Sequence, residues 1–293
     1  MIEICTMTSS FGTKRLGGAY SIPESIEHCS KTGFDVLDLS LFCLGDPSHP
    51  LAGDGWEREL ETILAAKEKC GVRFYQTHPL FRRGCIVAYD DAEKEAHYQK
   101  MMRRSLDITA AIGAKWAVFH ALNDPTTMDE RVQLQRNRDV YDPLVEQAAR
   151  LGIGIAIENM VQPHGEGAEH RYFSLPEEMI ALCDDYNCPE VKICWDFGHG
   201  NTAVPDRHRE ALQMLGDRLV CVHVDDNFGL ADDHLLPFCG NIKWEELMPV
   251  LGELNFPGVL VIEVRFTRGF PDDMRDEASR MTAAILRRLQ AMI

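Results

Sequence analysis

The sequence predicts an α/β chain folded as one (β/α)₈ TIM barrel, a single domain over residues 1–293, and three observations carry that prediction. Short β-rich runs alternate with longer stretches of helical periodicity from one end of the chain to the other, the pattern of a parallel sheet built from βα units. The β-rich runs number eight, the count that closes a barrel. The stretch SSFGTKRLGG after Thr8 matches neither G-x-G-x-x-G nor a P-loop, so the doubly wound nucleotide-binding sheet is disfavoured.

In chain order, EICTMT from Glu3 is followed by a helical pattern over 22–32, FDVLDLS from Phe34 by 56–70, and VRFYQTH from Val72 by 91–112. KWAVFH from Lys115 precedes 137–151, and IGIAIE from Ile153 precedes 174–186. VKICWD from Val191, LVCVHV from Leu219 and VLVIEV from Val259 precede 206–215, 244–254 and 274–292. Ser174 with Glu177 has capping-box spacing, and Gly33, Gly71, Gly113 and Gly152 stand where helices stop before the next strand. No composition shift or Pro/Ser-rich linker divides the chain.

With 293 residues, 45% of them hydrophobic, the chain buries one large core. A formal charge of −16 opposes sequence-independent binding to nucleic acid, which depends on Lys and Arg neutralising phosphates. MIEICTMTSS lacks a basic segment leading into an apolar stretch, and no run of about 18 apolar residues occurs, so the expectation is a cytoplasmic protein without a membrane span. The ten cysteines form no C-x-x-C pair and read as reduced, small apolar residues, with Cys239 set apart in a loop. Homo-oligomers are common among soluble enzymes, and no stripe in the sequence marks an interface.

Four of the later runs each end in a metal-binding side chain: IAIEN at Glu158, VKICWD at Asp196, LVCVH at His223 and VLVIE at Glu263. A single acid at a strand end is ordinarily a turn residue or a helix cap. In a barrel, however, every strand delivers its last residue to one rim, and a charge closing a strand buried on both faces needs a partner or a cation. Three carboxylates and one imidazole suit one Mn²⁺, Mg²⁺ or Co²⁺, or Zn²⁺. His78, His120, His199 and His234 also end strands or lie in adjacent loops. The bland reading of His78 and His120 is a core histidine bonded to a carbonyl, and the strand-terminal placement weighs equally for contact with a ligand. Between Leu80 and Asp90, LFRRGCIVAYD reads first as a solvated connection and second as a lid whose Arg82 and Arg83 meet an anion while Phe81 or Tyr89 closes over the substrate. Arg265 is a further candidate anion contact, or a rim salt bridge.

IENM, WDFGHGN, VHVDDN, the DDHLLP-to-GNIKW stretch and VIEV together resemble the xylose isomerase-like TIM barrel superfamily of sugar phosphate isomerases and epimerases, which also contains the AP endonuclease family 2 enzymes. The resemblance runs through essentially the whole chain and is most specific from Ile153 to Arg265. It implies an isomerase or epimerase of a small-molecule sugar or sugar derivative, with one divalent metal on Glu158, Asp196, His223 and Glu263. It also implies that Glu158 and Glu263 are the acid/base pair moving a proton through a metal-stabilised enediolate, with His78, His120, His199, His234 and Arg265 toward substrate. The chain departs from the family at Pro237-Phe238-Cys239-Gly240, where P-G-x-G is common, and at Gly229, where epimerases often carry a substrate-holding arginine.

Two rival enzymes share these residues. His78, His120, Glu158, Asp196, His199, His223, Asp232, His234 and Glu263 match the nine ligands of a trinuclear zinc phosphodiesterase of the endonuclease IV type, against which the charge of −16 stands. A dehydratase of a cyclic hydroxy-ketone would begin with the same proton abstraction. A sugar-sensing barrel without chemistry is disfavoured by the presence of both candidate acid/base carboxylates.

Overall fold

In the computed structural model, residues 2–14, 17–82 and 87–293 are described, and their eight strands close a parallel barrel in sequence order. The strands are β1 (Ile4–Met7), β2 (Val36–Ser40), β3 (Arg73–His78), β4 (Trp116–His120), β5 (Gly154–Glu158), β6 (Val191–Asp196), β7 (Leu219–Val224) and β8 (Leu260–Ile262). Closure follows from β8 pairing with β1, Val261 opposite Cys5. The helices are α1 (Ile22–Lys31), α2 (Trp56–Cys70), α3 (Ala92–Ala111), α4 (Glu130–Leu151), α5 (Pro176–Tyr186), α6 (Phe197–Ala203), α7 (His208–Leu215), α8 (Trp244–Glu253) and α9 (Arg275–Gln290).

The largest apolar cluster lies between the sheet and the helices, as the continuous apolar strands require. Inside the barrel, small side chains fill the lower part: Cys5, Met7, Val36, Val259 and Val261 on one side, and Trp116, Val118, Ala156, Cys194, Val220 and Cys221 on the other. Tyr75 packs against both groups. A Cβ on Gly154 would lie 2.1 Å from the Trp116 ring, so only glycine lets that indole lie across β5. Above this layer the inward positions turn polar, and Asp38, Gln76, His78, Glu158, Asp196 and His223 are all buried.

Several elements differ from the sequence expectation. α4 starts at Glu130 rather than 137, because Gln133 and Asn137 are buried by bonding the preceding loop instead of by apolar packing. Asn137 accepts from the Leu122 amide at 2.9 Å and donates to the Leu122 carbonyl at 2.8 Å. α5 is not capped by Ser174, whose hydroxyl donates to Gln162 Oε1 at 3.2 Å; Glu178 accepts the Leu175 amide at 3.2 Å instead. α6 was not expected in a segment with two glycines. Asp196 caps it by accepting the His199 amide at 2.6 Å, and a Cβ on Gly198 would lie 2.5 Å from Asp225 Oδ1, so the helix needs glycine to approach β7. Gly33, Gly71, Gly113 and Gly152 do take positive φ at the helix ends. Among the described residues, no helix is long and apolar enough to cross a membrane.

Candidate metal centre

Parallel strands that end on one rim bring His78, His120, Glu158 and Glu263 to the wall of a cavity of about 670 Å³, while Asp196 and His223 are fully buried beside them. Glu158 closes β5, Asp196 closes β6, His223 is the penultimate residue of β7, and Glu263 follows β8, its amide still donating to the Val224 carbonyl at 3.1 Å. His223 Nδ1 lies 3.1 Å from Glu158 Oε1, 2.9 Å from Glu263 Oε2 and 4.0 Å from Asp196 Oδ2, so the three carboxylates share one imidazole nitrogen. His78, Glu158, His223 and Glu263 each offer a ligand atom within 4.8 Å of the others, as do Glu158, Asp196 and His199.

The other predicted site residues divide around this centre. His78 Nε2 and His120 Nε2 approach Glu158 Oε2 at 3.5 and 3.3 Å. His199 Nδ1 is 2.8 Å from the Asn159 carbonyl, while its Nε2 lies 3.7 Å from Asp232. His234 Nε2 is 3.0 Å from Asp232 Oδ2, and with Asp225 these residues form a third ligand group. His234 holds a left-handed φ of 48°, the kind of backbone strain that clusters at functional sites. Arg265 lines the cavity, as do Phe81 and Tyr89, and the Phe81 ring stacks on His120 at 4.6 Å. The lid expectation for Arg82 is corrected: it is buried, bonded to Glu95 and stacked 4.1 Å over Tyr98, which leaves it no role toward the cavity. Arg83 and Gly84 lie outside the described residues. Cys239 is exposed and lines a neighbouring cavity.

The electrostatics are those of a cation site. Burial acts to raise the Glu158 carboxyl, yet His223 and His120 outweigh it and hold Glu158 well below the ordinary range. Glu263 is pulled down to about 2, its burial likewise outweighed by His223 and His234. Asp196 goes the other way, raised by burial, with His199 countering and Glu158 adding. Asp225 is raised well above its usual value by burial and by Asp196. Burial opposes a proton on His234, but its bond to Asp232 and the charge of Glu263 lift it to about 10. Glu158 Oε2, Asp196 Oδ2, Asp225 Oδ2, Asp232 Oδ1 and Glu263 Oε2 are buried without a well-formed hydrogen bond, although imidazole nitrogens lie 3.3 Å from Glu158 Oε2, 3.4 Å from Asp225 Oδ2, 3.7 Å from Asp232 Oδ1 and 2.9 Å from Glu263 Oε2. Buried anionic oxygens left unpaired are expensive, and a divalent cation satisfies several at once. The donor set therefore fits a hard or borderline metal.

Other residues at this centre carry no signal in the sequence. Gln76 Nε2 donates to Asp38 Oδ2 at 2.7 Å and lies 2.9 Å from His223 Nε2, so it braces the side of the imidazole that faces away from the carboxylates. Asn159 Oδ1 accepts the Asp196 amide at 2.7 Å and ties β5 to β6. Asp38 was visible only as a charge inside an apolar run. Asp226 accepts from the Asn227, Phe238 and Ile242 amides and from the Trp244 indole, and so shapes the loop after β7. Phe238 there takes a φ of 72° with its ring exposed, the left-handed turn that glycine would otherwise supply.

Comparison with known proteins places this architecture. The chain is 28% identical over 187 residues to the uncharacterized protein y4fM of Sinorhizobium fredii, which is 62% of this chain, and the match spans 57% of that relative's length. It is 21% identical over 244 residues to a D-psicose 3-epimerase of Agrobacterium fabrum, covering 81% of this chain and 77% of the epimerase. A crystal structure of a D-psicose 3-epimerase in the presence of D-fructose superposes over 99% of both chains, with a TM-score of 0.74 at 19% identity, which shows a shared fold. The profile of the xylose isomerase-like TIM barrel family matches residues 26–288, and the chain belongs to that family.

Proposed function

We propose that this chain is a divalent-metal-dependent isomerase or epimerase of a sugar or sugar derivative. The observation that carries this reading is the convergence of Glu158 and Glu263, both on the cavity wall, on Nδ1 of the buried His223, with Asp196 beside them. The 3-epimerases with which the chain shares its fold, and one of its relatives, support the same reaction class.

Glu158, Asp196, His223 and Glu263 would hold the divalent cation, which would supply positive charge against the substrate oxygens and so make a C–H next to a carbonyl acidic enough to ionise. Glu158, ionised through the range of ordinary pH, takes that proton on a carboxylate oxygen. Glu263, just after β8, is ionised at the same pH, so it first takes a proton from solvent or a substrate hydroxyl and then delivers it, while the proton on Glu158 leaves to solvent: delivery to the same carbon from the opposite side inverts it, and delivery to the adjacent carbon isomerises the sugar. Phe81, stacked on His120, shields the cavity from water. Glu158→Gln is expected to keep part of the metal affinity and to abolish both turnover and exchange of substrate C–H hydrogen with D₂O. Exchange at the wild-type rate in that variant would remove Glu158 from the role of base.

A second reading has its own observation. Beside the group of His78, Glu158, His223 and Glu263, two further sets of ligand atoms converge, Glu158 with Asp196 and His199, and Asp225 with Asp232 and His234, as a multinuclear phosphodiesterase would require. Metal stoichiometry on purified protein separates the two: about one per chain supports the epimerase, about three Zn²⁺ the phosphodiesterase.

A further inference from the structure

The same cavity carries three guanidiniums that the proton-transfer chemistry does not use: Arg265 and Arg268 from the segment after β8, and Arg171 from the segment between β5 and α5. Among the described residues, none of the three forms an ion pair with a carboxylate. Arg265 and Arg268 stand exposed at the mouth of the cavity and Arg171 is half-buried, whereas the buried arginines are matched: Arg82 by Glu95, Arg104 by the Leu51 and Gly53 carbonyls, and Arg275 by Asp272.

Arg268 has a single bond, from Nε to the Ser9 carbonyl at 3.3 Å, and Thr267 beside it bonds the Ser10 carbonyl at 2.9 Å. These bonds hold the turn after β8 against the turn after β1, with Ser9 and Ser10 on the cavity wall beside the two arginines. The Arg268 guanidinium is shifted below its usual value, first by partial desolvation and then, against the pull of Glu263, by the charges of Arg265 and Arg275. Like charges brought together at the mouth of a cavity repel one another, and an anion seated between them relieves that repulsion. A neutral ketose, whose hydroxyls are satisfied by carboxylates and amides, gives no compensation of that kind. Planar guanidiniums match phosphate and carboxylate oxygens, and the segments after strands seven and eight are where TIM barrels commonly seat such groups.

We propose that the substrate carries an anionic group, a phosphate or a carboxylate, held at the β8 side of the cavity by Arg265 and Arg268, with Arg171 as a third cation of the same cavity. This rests on the isomerase/epimerase reading for the rest of the substrate, while the anion subsite stands on the arginines alone.

The test uses the metal-loaded protein with three probes of equal carbon number: a neutral ketohexose, its terminal phosphate ester and a ketohexonate. Orthophosphate binding is followed in parallel by calorimetry. One anionic probe should exceed the neutral sugar in kcat/KM by about 10- to 100-fold, the worth of charge-assisted hydrogen bonds. Which anion leads separates phosphate from carboxylate. Arg268→Met should reduce that preference to near unity and raise the KM of the anionic probe, whereas Arg280→Met, far out on α9, should change nothing. Equal or better turnover of the neutral sugar, with no effect of Arg268→Met on the ratio, overturns the proposal while leaving the epimerase reading intact. If no sugar turns over, orthophosphate binding that weakens in Arg265→Met and Arg268→Met upholds the anion subsite and sinks the epimerase; no binding sinks the subsite.

Discussion

At the scale of single residues, the centre depends on which nitrogen of His223 carries its proton. Nδ1 faces Glu158 and Glu263, so a cation taken up there needs Nδ1 free and the proton on Nε2. Nε2 faces only the Gln76 amide, which presents its NH₂ group and leaves its own Oε1 buried and unpaired. Turning that amide over lets Oε1 accept from Nε2–H, the tautomer that frees Nδ1, and sets Oε1 against Asp38 Oδ2, which then has to carry a proton; burial raises Asp38 to about 6. Gln76→Leu removes the acceptor and is expected to weaken Mn²⁺ binding by roughly 10- to 100-fold. Titration calorimetry with Mn²⁺ decides it, and an unchanged Kd in the leucine variant would show that His223 needs no such partner.

At the scale of elements, the strands announced themselves and the polar helices did not. Strand ends at Glu158, Asp196 and Glu263 were legible because a charge closing an apolar parallel run is conspicuous. The first two turns of α4 were hidden because Gln133 and Asn137 are buried through hydrogen bonds, which leave no apolar period to read. α6 was hidden by its glycines, whose purpose is close approach to Asp225, Trp195 and His208. α7 shows how such a short element is anchored: its His208 Nε2 accepts from the Trp195 indole of β6 at 2.9 Å. Burial lowers His208 to about 3, so the folded chain keeps it neutral where the unfolded chain, with a value near 6.5, takes up a proton. The unfolded state thus binds more protons below pH 6.5, and this contribution to stability is complete above that pH and lost as pH falls toward 3. Replacing His208 with Gln keeps an acceptor for the indole and removes the titration. Between pH 7 and 5 the variant should lose about 2 kcal/mol less stability than the parent in urea unfolding. Parallel losses would mean that Trp195 does not hold His208 neutral.

At the scale of the whole molecule, the barrel concentrates acid at one mouth, and how much of that mouth could be read in advance depended on regularity. Glu158, Asp196, His223 and Glu263 share a phase, one per successive strand, so barrel geometry alone brings them together. Arg171 lies in an irregular segment and Arg268 in a single 3-10 turn, where an arginine has no phase, and Arg82 reads first as part of a solvated connection and second as a lid contact, whereas Glu95 holds it inside. The four-residue centre also couples the fold to its ligand. Asp196 is fully buried, raised by burial and by Glu158, and its Oδ2 has no partner, so its charge opposes folding unless a cation offsets it. Asp196→Asn preserves the cap on α6, because Asn Oδ1 still accepts the His199 amide, and removes the charge. Chelator-treated Asp196→Asn is therefore expected to melt above chelator-treated parent protein. With Mn²⁺ at about 100 times its Kd the parent gains about 2.7 kcal/mol, a rise of roughly 5 °C or more for a chain of this length, and overtakes the variant. This crossing of the two melting series separates ligation from packing: a residue that merely filled space would lower Tm in both conditions, and a centre that binds no cation would leave the parent below the variant throughout.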